Sequence, residues 1–300
     1  MVESKLEKDA KGGALPVDAA TLIVLRDAPA AGASPDATGP AFSSFFVQRS
    51  QKSRFMGGAV VFPGGKVDDA DRDPTWSAYC TDPPDPALRA LGVAACREAL
   101  EEAAILPLAG GTLDHRALLE LRRRLAEGQA RFLDLVRETG LRLDLRALHL
   151  LSRWVTPKNQ SRRFDTRFFV TRATPGQEGA HDEHETVASF WATPDDVLAR
   201  AGAGAIELAP PTHRTLEILA KSGSVDEVFS AAAHASRAVI CPELVPHVDR
   251  AGETVALTLP GDPEHSVREV RVPGASRFVL RNGAWRPESP PRLPSPSAQE

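Results

Sequence analysis

The chain is predicted to be an α/β protein, and three observations predict it. Short runs rich in β-branched and aromatic residues recur along the first two thirds of the sequence. Longer stretches of Ala, Leu, Arg and Glu alternate with them. Clusters of Pro, Gly, Asp and Ser separate the two kinds of segment.

Taken in order, Thr21 to Leu25 is apolar and β-branched and reads as a buried strand. Ala28 to Pro40 is a loop of Ala, Gly, Pro and Ser, and Phe42 to Gln48 is a second strand. Gly57 to Phe62 forms a third, running into a turn at Pro63-Gly64-Gly65. Asp68 to Pro86, dominated by Asp, Pro and Thr without sustained period, is an inserted loop. Ala87 to Ile105 favours helix, and Leu106-Pro107 ends it. Leu113 to Arg124 and Ala130 to Glu138 are amphipathic helices broken near Gly128 and Gly140. Leu148 to Val155, Arg167 to Arg172 and Val187 to Trp191 are strands. A helix opens at Thr193-Pro194-Asp195-Asp196, and Thr212 to Lys221 and Val225 to Ala235 are two more. After Arg237 the texture changes. Val255 to Leu259, Val267 to Val272 and Phe278 to Trp285 are short strands, the last folded at Asn282-Gly283.

The chain has 300 residues, 42% hydrophobic and 25% charged, which supplies a sizeable core and excludes disorder of the whole. A net charge of −4 lacks the bulk signature of a general nucleic-acid binder. Three scattered cysteines, Cys80, Cys96 and Cys241, form neither a disulfide framework nor a zinc-binding pair. The first apolar stretch, Ala19 to Leu25, is too short for a signal peptide or membrane span, so a cytoplasmic protein with no membrane partner is expected.

The chemistry concentrates in Arg97-Glu98-Ala99-Leu100-Glu101-Glu102. At about 100° per residue, Glu98, Glu101 and Glu102 share an arc of roughly 100° on a helix. Like charges at these spacings repel, so the face calls for a cation. Hard carboxylate oxygens suit Mg²⁺ or Mn²⁺ together with substrate phosphates. The competing reading is a solvated acidic face. The helix beyond shows what such a face looks like: Arg116, Glu120, Arg122, Arg123 and Arg124 interleave in sign. In the 97–102 segment Arg97 is the lone base.

With the turn at Gly64-Gly65, this segment resembles the box of the Nudix hydrolase family, Gly-x5-Glu-x7-Arg-Glu-U-x-Glu-Glu-x-Gly-U, where U is aliphatic. Gly65 opens it, Asp71 stands at the first Glu place, and Arg97, Glu98, Glu101 and Glu102 fill the second half. Two departures stand out. Gly65 to Arg97 spans 32 positions where the box has 14, an insertion of 18, and Ala104 replaces the late Gly. The insertion leaves the helix face intact, because lengthening a loop costs little. The small-for-small change at Ala104 is read as a matter of helix packing.

Upstream, Arg49-Ser50-x3-Arg54-x3-Gly58-x3-Phe62-Pro63-Gly64-Gly65 resembles the motif that precedes the box in the coenzyme A diphosphatase branch, with every specified position matched. The resemblance spans about residues 18 to 220. It implies an α/β/α sandwich around a mixed sheet, with inserted helices and a C-terminal extension. The expected organisation is a loose segment 1–17 and a Nudix domain 18–235 with a helical insertion at about 107–140. An extension at 236–285 and a Pro-rich disordered tail at 286–300 follow.

The implied activity is Mg²⁺- or Mn²⁺-dependent cleavage of the diphosphate of coenzyme A or acyl-CoA, giving 3′,5′-ADP and 4′-(acyl)phosphopantetheine. Glu98, Glu101 and Glu102 would hold metal, with Glu98 the best base and Arg97 orienting a carboxylate. Arg49, Ser50, Arg54, Gly58, Gly64 and Gly65 would meet the substrate, Arg being suited to bidentate phosphate contact. Glu185, ahead of a strand, could add a base or metal ligand from outside the box, or simply be structural. His181 and His184 flank it without the third ligand that zinc needs. Arg163 and Arg167 surround Asp165 and read more simply as an ion-pair network. Trp154 and Trp191 are core residues. The partner is a small-molecule diphosphate, and a homodimer is open. Two other functions stay open: a Nudix hydrolase of another nucleoside diphosphate derivative (nucleotide sugar, ADP-ribose or dinucleotide), and a non-catalytic nucleotide-binding Nudix module.

Overall fold

A computed structural model describes residues 14–27, 42–51, 57–158, 160–182, 186–249 and 252–290. Four strands open the chain: β1 Val17–Asp27, β2 Phe42–Arg49, β3 Val60–Val61 and β4 Gly64–Lys66. After a 3-10 turn at Asp69–Arg72 come α1 Trp76–Tyr79 and α2 Arg89–Ala103. Strands β5 Leu108–Ala109 and β6 Arg142–Leu143 bracket α3 His115–Ala126 and α4 Phe132–Thr139. Then follow β7 His149–Val155, β8 Phe164–Arg172, β9 Thr186–Ala192, α5 Pro194–Gly202, α6 Pro210–Leu219 and α7 Val225–His234. The chain ends in β10 Val239–Ile240, β11 Glu243–Asp249, β12 Gly252–Thr258, β13 Arg277–Arg281 and β14 Ala284–Glu288.

The large sheet runs β10-β7-β8-β1-β2-β3, with β4 also on β1 and β9 on β2. It is mixed: β1 is parallel to β8 and antiparallel to β2 and β4. Strand alternation divides the core. Ala20, Leu22 and Val24 of β1 face one layer with α2, α3 and α4, while Ile23 and Leu25 face the other, with α5, α6 and α7. The expected α/β/α sandwich around a mixed sheet is what these two layers form.

The segment from Asp68 to Pro86 is more ordered than a bare loop. The Asp71 carboxylate accepts from the Asp68 amide at 2.9 Å, and the Trp76 indole donates to Ala70 O at 3.0 Å. This segment and the α3–α4 pair pack on each other. Trp76 lies 5.2 Å from Phe132, the Arg137 Nε donates to Tyr79 Oη at 2.9 Å, and Thr81 N donates to Leu143 O at 2.8 Å.

The last four strands form a separate antiparallel sheet, β11-β12-β13-β14. Leu257, Leu259 and Phe278 seat it on the α5–α6 side of the core. Inside it Arg277 and Asp262, both buried, share two hydrogen bonds of 3.0 and 2.6 Å. Two expectations need correction. Val267 to Val272 is not a strand: the chain folds back locally there, Val267 O accepting from Gly261 N at 2.9 Å and Val270 left exposed. Its first residue instead turns back, Val267 N donating to His265 Nδ1. Strand β14 also runs to Glu288, past the boundary at 285, with Glu288 held by Arg281. Residues 291–300 of the tail lie outside the described residues, as do 1–13. Among the described residues no helix is long and apolar enough to cross a membrane.

Candidate active site

The site is built where the turn into β4 meets the last two turns of α2. Strand β4 pairs with β1 through Ala20↔Gly65 and Thr21↔Gly64. A Cβ on Gly64 would lie 2.6 Å from Ala20 O and 2.8 Å from Thr21 Cα, so that glycine makes room for the neighbouring strand. A Cβ on Gly65 would lie 2.4 Å from Glu98 Oε1, so the second glycine makes room for a carboxylate. The Gly64 amide donates to Glu102 Oε2 at 2.9 Å. The acidic stripe of α2 therefore faces the glycine turn rather than bulk water.

Arg97 organises the cluster. Its Nε and Nη2 donate to the Asp71 carboxylate at 3.0 and 2.9 Å, and Nη2 also reaches Lys66 O at 2.9 Å. Its Nη1 serves both Glu98 Oε1 at 2.8 Å and Glu101 Oε2 at 3.0 Å. Burial works against the guanidinium charge, but the Asp71 bond and the carboxylates outweigh it, so its pKa is raised further. For the two glutamates burial wins. It raises the Glu98 carboxyl and pushes Glu101 up to about 7, since one guanidinium compensates both only partly. Among the described residues no three His, Cys, Asp or Glu side chains converge as a preformed metal cage. Glu98 and Glu101 turn to Arg97, and Glu102 turns to the Gly64 amide.

The upstream motif sits at the neighbouring edge. Arg49 ends β2; its amide donates to Ala59 O at 3.0 Å and its carbonyl accepts from Gly58 N at 3.1 Å. Gly58 has φ +82°, which closes this turn, and Ser50 follows Arg49 directly beside Gly57. The Arg49 Nε is buried and finds no hydrogen-bond partner among the described residues. Arg54 and Glu185 lie outside the described residues, as does His184. His181 Nδ1 stands 3.3 Å from Ser189 Oγ.

Sequence reasoning missed how much rests on Asp71. The 3-10 turn at Asp69–Arg72 brings its carboxylate onto the Arg97 guanidinium although 26 positions separate the two. Arg167 and Arg153 both pair with Asp165, and Arg167 also pairs with Asp18, which binds Arg72. Arg163 donates to backbone carbonyls of Thr156 and Ala14. These arginines form a structural network. Trp154 is buried in the core, while Trp191 is half-buried under Arg26.

Residues 80–219 match the NUDT19 Nudix domain. A crystal structure of a Nudix hydrolase from Alicyclobacillus acidocaldarius is similar at a TM-score of 0.57 and 29% identity, over 72% of this chain and 96% of that one. The chain belongs to the Nudix hydrolase family of enzymes, which act on phosphorus anhydrides. It is 30% identical over 299 residues to the acyl-coenzyme A diphosphatase NUDT19 of Gallus gallus, over 82% of this chain and 78% of that one. It is 26% identical over 270 residues to the same-named protein of Xenopus laevis, over 74% and 70%.

Proposed function

We propose that the chain hydrolyses the diphosphate of coenzyme A or an acyl-CoA, giving 3′,5′-ADP and 4′-(acyl)phosphopantetheine, with Mg²⁺ or Mn²⁺. The observation that carries this reading is the seating of Glu98 and Glu102 against the Gly64–Gly65 turn, with Glu101 joined to Glu98 through Arg97. The likeness to acyl-CoA diphosphatases supports the substrate. The donor set fits a divalent cation: three hard carboxylates on one helix, with burial pushing Glu101 up to about 7. Bound there, the ion would offset charge on the diphosphate oxygens and ease deprotonation of the attacking water.

The chain's own groups do the rest. Arg97 holds Glu98 and Glu101 on a shared guanidinium nitrogen, so their carboxylates keep a fixed spacing. Glu98, against the bare backbone of Gly65, is the general base. The Gly64 amide fixes Glu102. Arg49, whose Nε has no partner among the described residues, and Ser50 and Arg54 after it, receive the phosphates. Gly58 shapes that turn, and Glu185, which precedes β9 in the sequence, supplies a further carboxylate.

Turnover of CoA, an acyl-CoA, dephospho-CoA and ADP-ribose by the purified protein tests the reading. CoA or its ester is expected to be cleaved fastest, with Arg54→Ala raising KM for CoA more than for dephospho-CoA. Cleavage of ADP-ribose with CoA ignored would falsify the substrate assignment.

A further inference from the structure

The chain that follows β8, residues 173–182, is tied down at successive points. Gln177 exchanges two hydrogen bonds of 3.0 Å with the Leu106 backbone. The Ala180 amide donates to Ala103 O at 2.7 Å, one residue beyond Glu102. Asp182 Oδ1 accepts from the Thr186 amide at 2.9 Å and its hydroxyl at 2.8 Å. Thr186 pairs with Arg49 across the β2–β9 ladder. The segment is thus strung between the acidic end of α2 and the Arg49 end of β2.

One further tie comes from the inserted helices. On α3 the Nη1 of Arg122 donates to Ala180 O at 2.7 Å and to His181 O at 2.9 Å. Two successive carbonyls aimed at one point repel unless a donor sits between them, and a charged donor makes the strongest such bond. The apolar seat of α3 is supplied by Leu118 and Leu121, so the helix does not need Arg122 to stay docked.

We propose that Arg122 is a positioning residue for the hydrolytic reaction. It fixes the 180–182 backbone, and through it the register in which the chain approaches Thr186 and Arg49. The proposal rests on the reading above, in which Arg49 and Glu185 serve the reaction. It gives the helical insertion a task in the active site that the box residues do not perform.

The test uses the full chain with divalent metal, comparing wild type, Arg122→Ala and Arg122→Lys. In Arg122→Ala, kcat for the CoA ester is expected to fall about 10- to 100-fold, the scale set by misplacing a reacting group by an ångström. The melting temperature should stay within about two degrees, as for a partly exposed side chain. Arg122→Lys should recover part of the loss, since an ammonium still bridges two carbonyls though with poorer geometry. Adding Arg122→Ala to Glu185→Gln should cost little more than Glu185→Gln alone, because both act through one segment. An unchanged kcat, or a loss that follows the melting temperature and adds fully to Glu185→Gln, overturns the proposal. If wild type cleaves no CoA ester, the functional reading has failed and amide exchange decides the positioning claim. Faster exchange at Ala180 in Arg122→Ala supports it, and unchanged exchange overturns it.

Discussion

Arg97 and Asp71, 26 residues apart, share a buried bidentate pair, with Nε and Nη2 of one on the carboxylate of the other. Removing one side of a buried pair leaves the other uncompensated, so Asp71→Asn is expected to cost about 3 kcal/mol of stability. Arg97 would then be free to close on Glu98 and Glu101, and kcat should fall at least about tenfold. Denaturant unfolding and steady-state kinetics on one preparation check both.

The adjacent glycines should fail in different ways. In Gly65→Ala the new methyl meets the Glu98 carboxylate, the far end of a flexible side chain. The fold should survive while Glu98 is displaced and turnover drops by about 100-fold. In Gly64→Ala the methyl meets the Ala20 carbonyl and Thr21 Cα, which cannot swing aside. That variant should lose about 1–3 kcal/mol or more, the usual cost of overpacking. Equal melting temperatures for the two variants would refute the distinction.

Ala104 stands at C-cap with φ 51° and ψ 42° and is fully buried. A left-handed L-residue costs about 1–2 kcal/mol, which favours glycine here. Glycine's chain entropy and the lost buried methyl, each up to about 0.8–1 kcal/mol, oppose it. Ala104→Gly should therefore change stability by less than about 1 kcal/mol. Ala104→Val, β-branched and oversized, should cost about 2–4 kcal/mol. Chemical denaturation of both variants measures the contrast.

Removing divalent metal should lower the melting temperature at neutral pH, and restoring it should raise it. A ligand at 100 times its Kd adds about 2.7 kcal/mol to stability. In Glu101→Gln the response to Mg²⁺ or Mn²⁺ should shrink and turnover should fall by orders of magnitude. A full thermal response in that variant would remove Glu101 from the ligand set.

His213 on α6 packs edge-on to Phe278 of β13 at 5.6 Å, with Glu217 Oε1 3.5 Å from its Nδ1. Burial, then the charges of Arg214 and Arg286, depress its pKa to about 4. An unfolded histidine titrates near ~6.5, so as pH falls the unfolded chain takes up the proton first. The stability this group contributes is complete above pH ~6.5, is lost down to about 4, and amounts to roughly 2–3 kcal/mol. Comparing wild type with His213→Gln by denaturation at pH 7 and pH 5 should show the wild type losing more.

The glutamate stripe was legible because helix period alone puts Glu98, Glu101 and Glu102 together. The facing turn was legible because Gly64-Gly65 follows an apolar run. Their contact was not, since it depends on β4 pairing with β1 across a break of more than forty residues. Asp71 was legible only as an acid at the right count, because nothing local tells on which side of it an insertion begins. Ala104 was read as a packing position, but its left-handed backbone is the physical demand there. In β11 Pro246 and the charged ends mask the strand pattern, while Val267 to Val272 carries three valines like a strand but folds back onto Gly261.

Trp76 of α1 and Phe132 of α4 stand far apart in the chain, yet each is the other's shelter from water. Cutting away either segment alone would bare an aromatic ring on what remained, so a shortened version of this enzyme would have to lose both together.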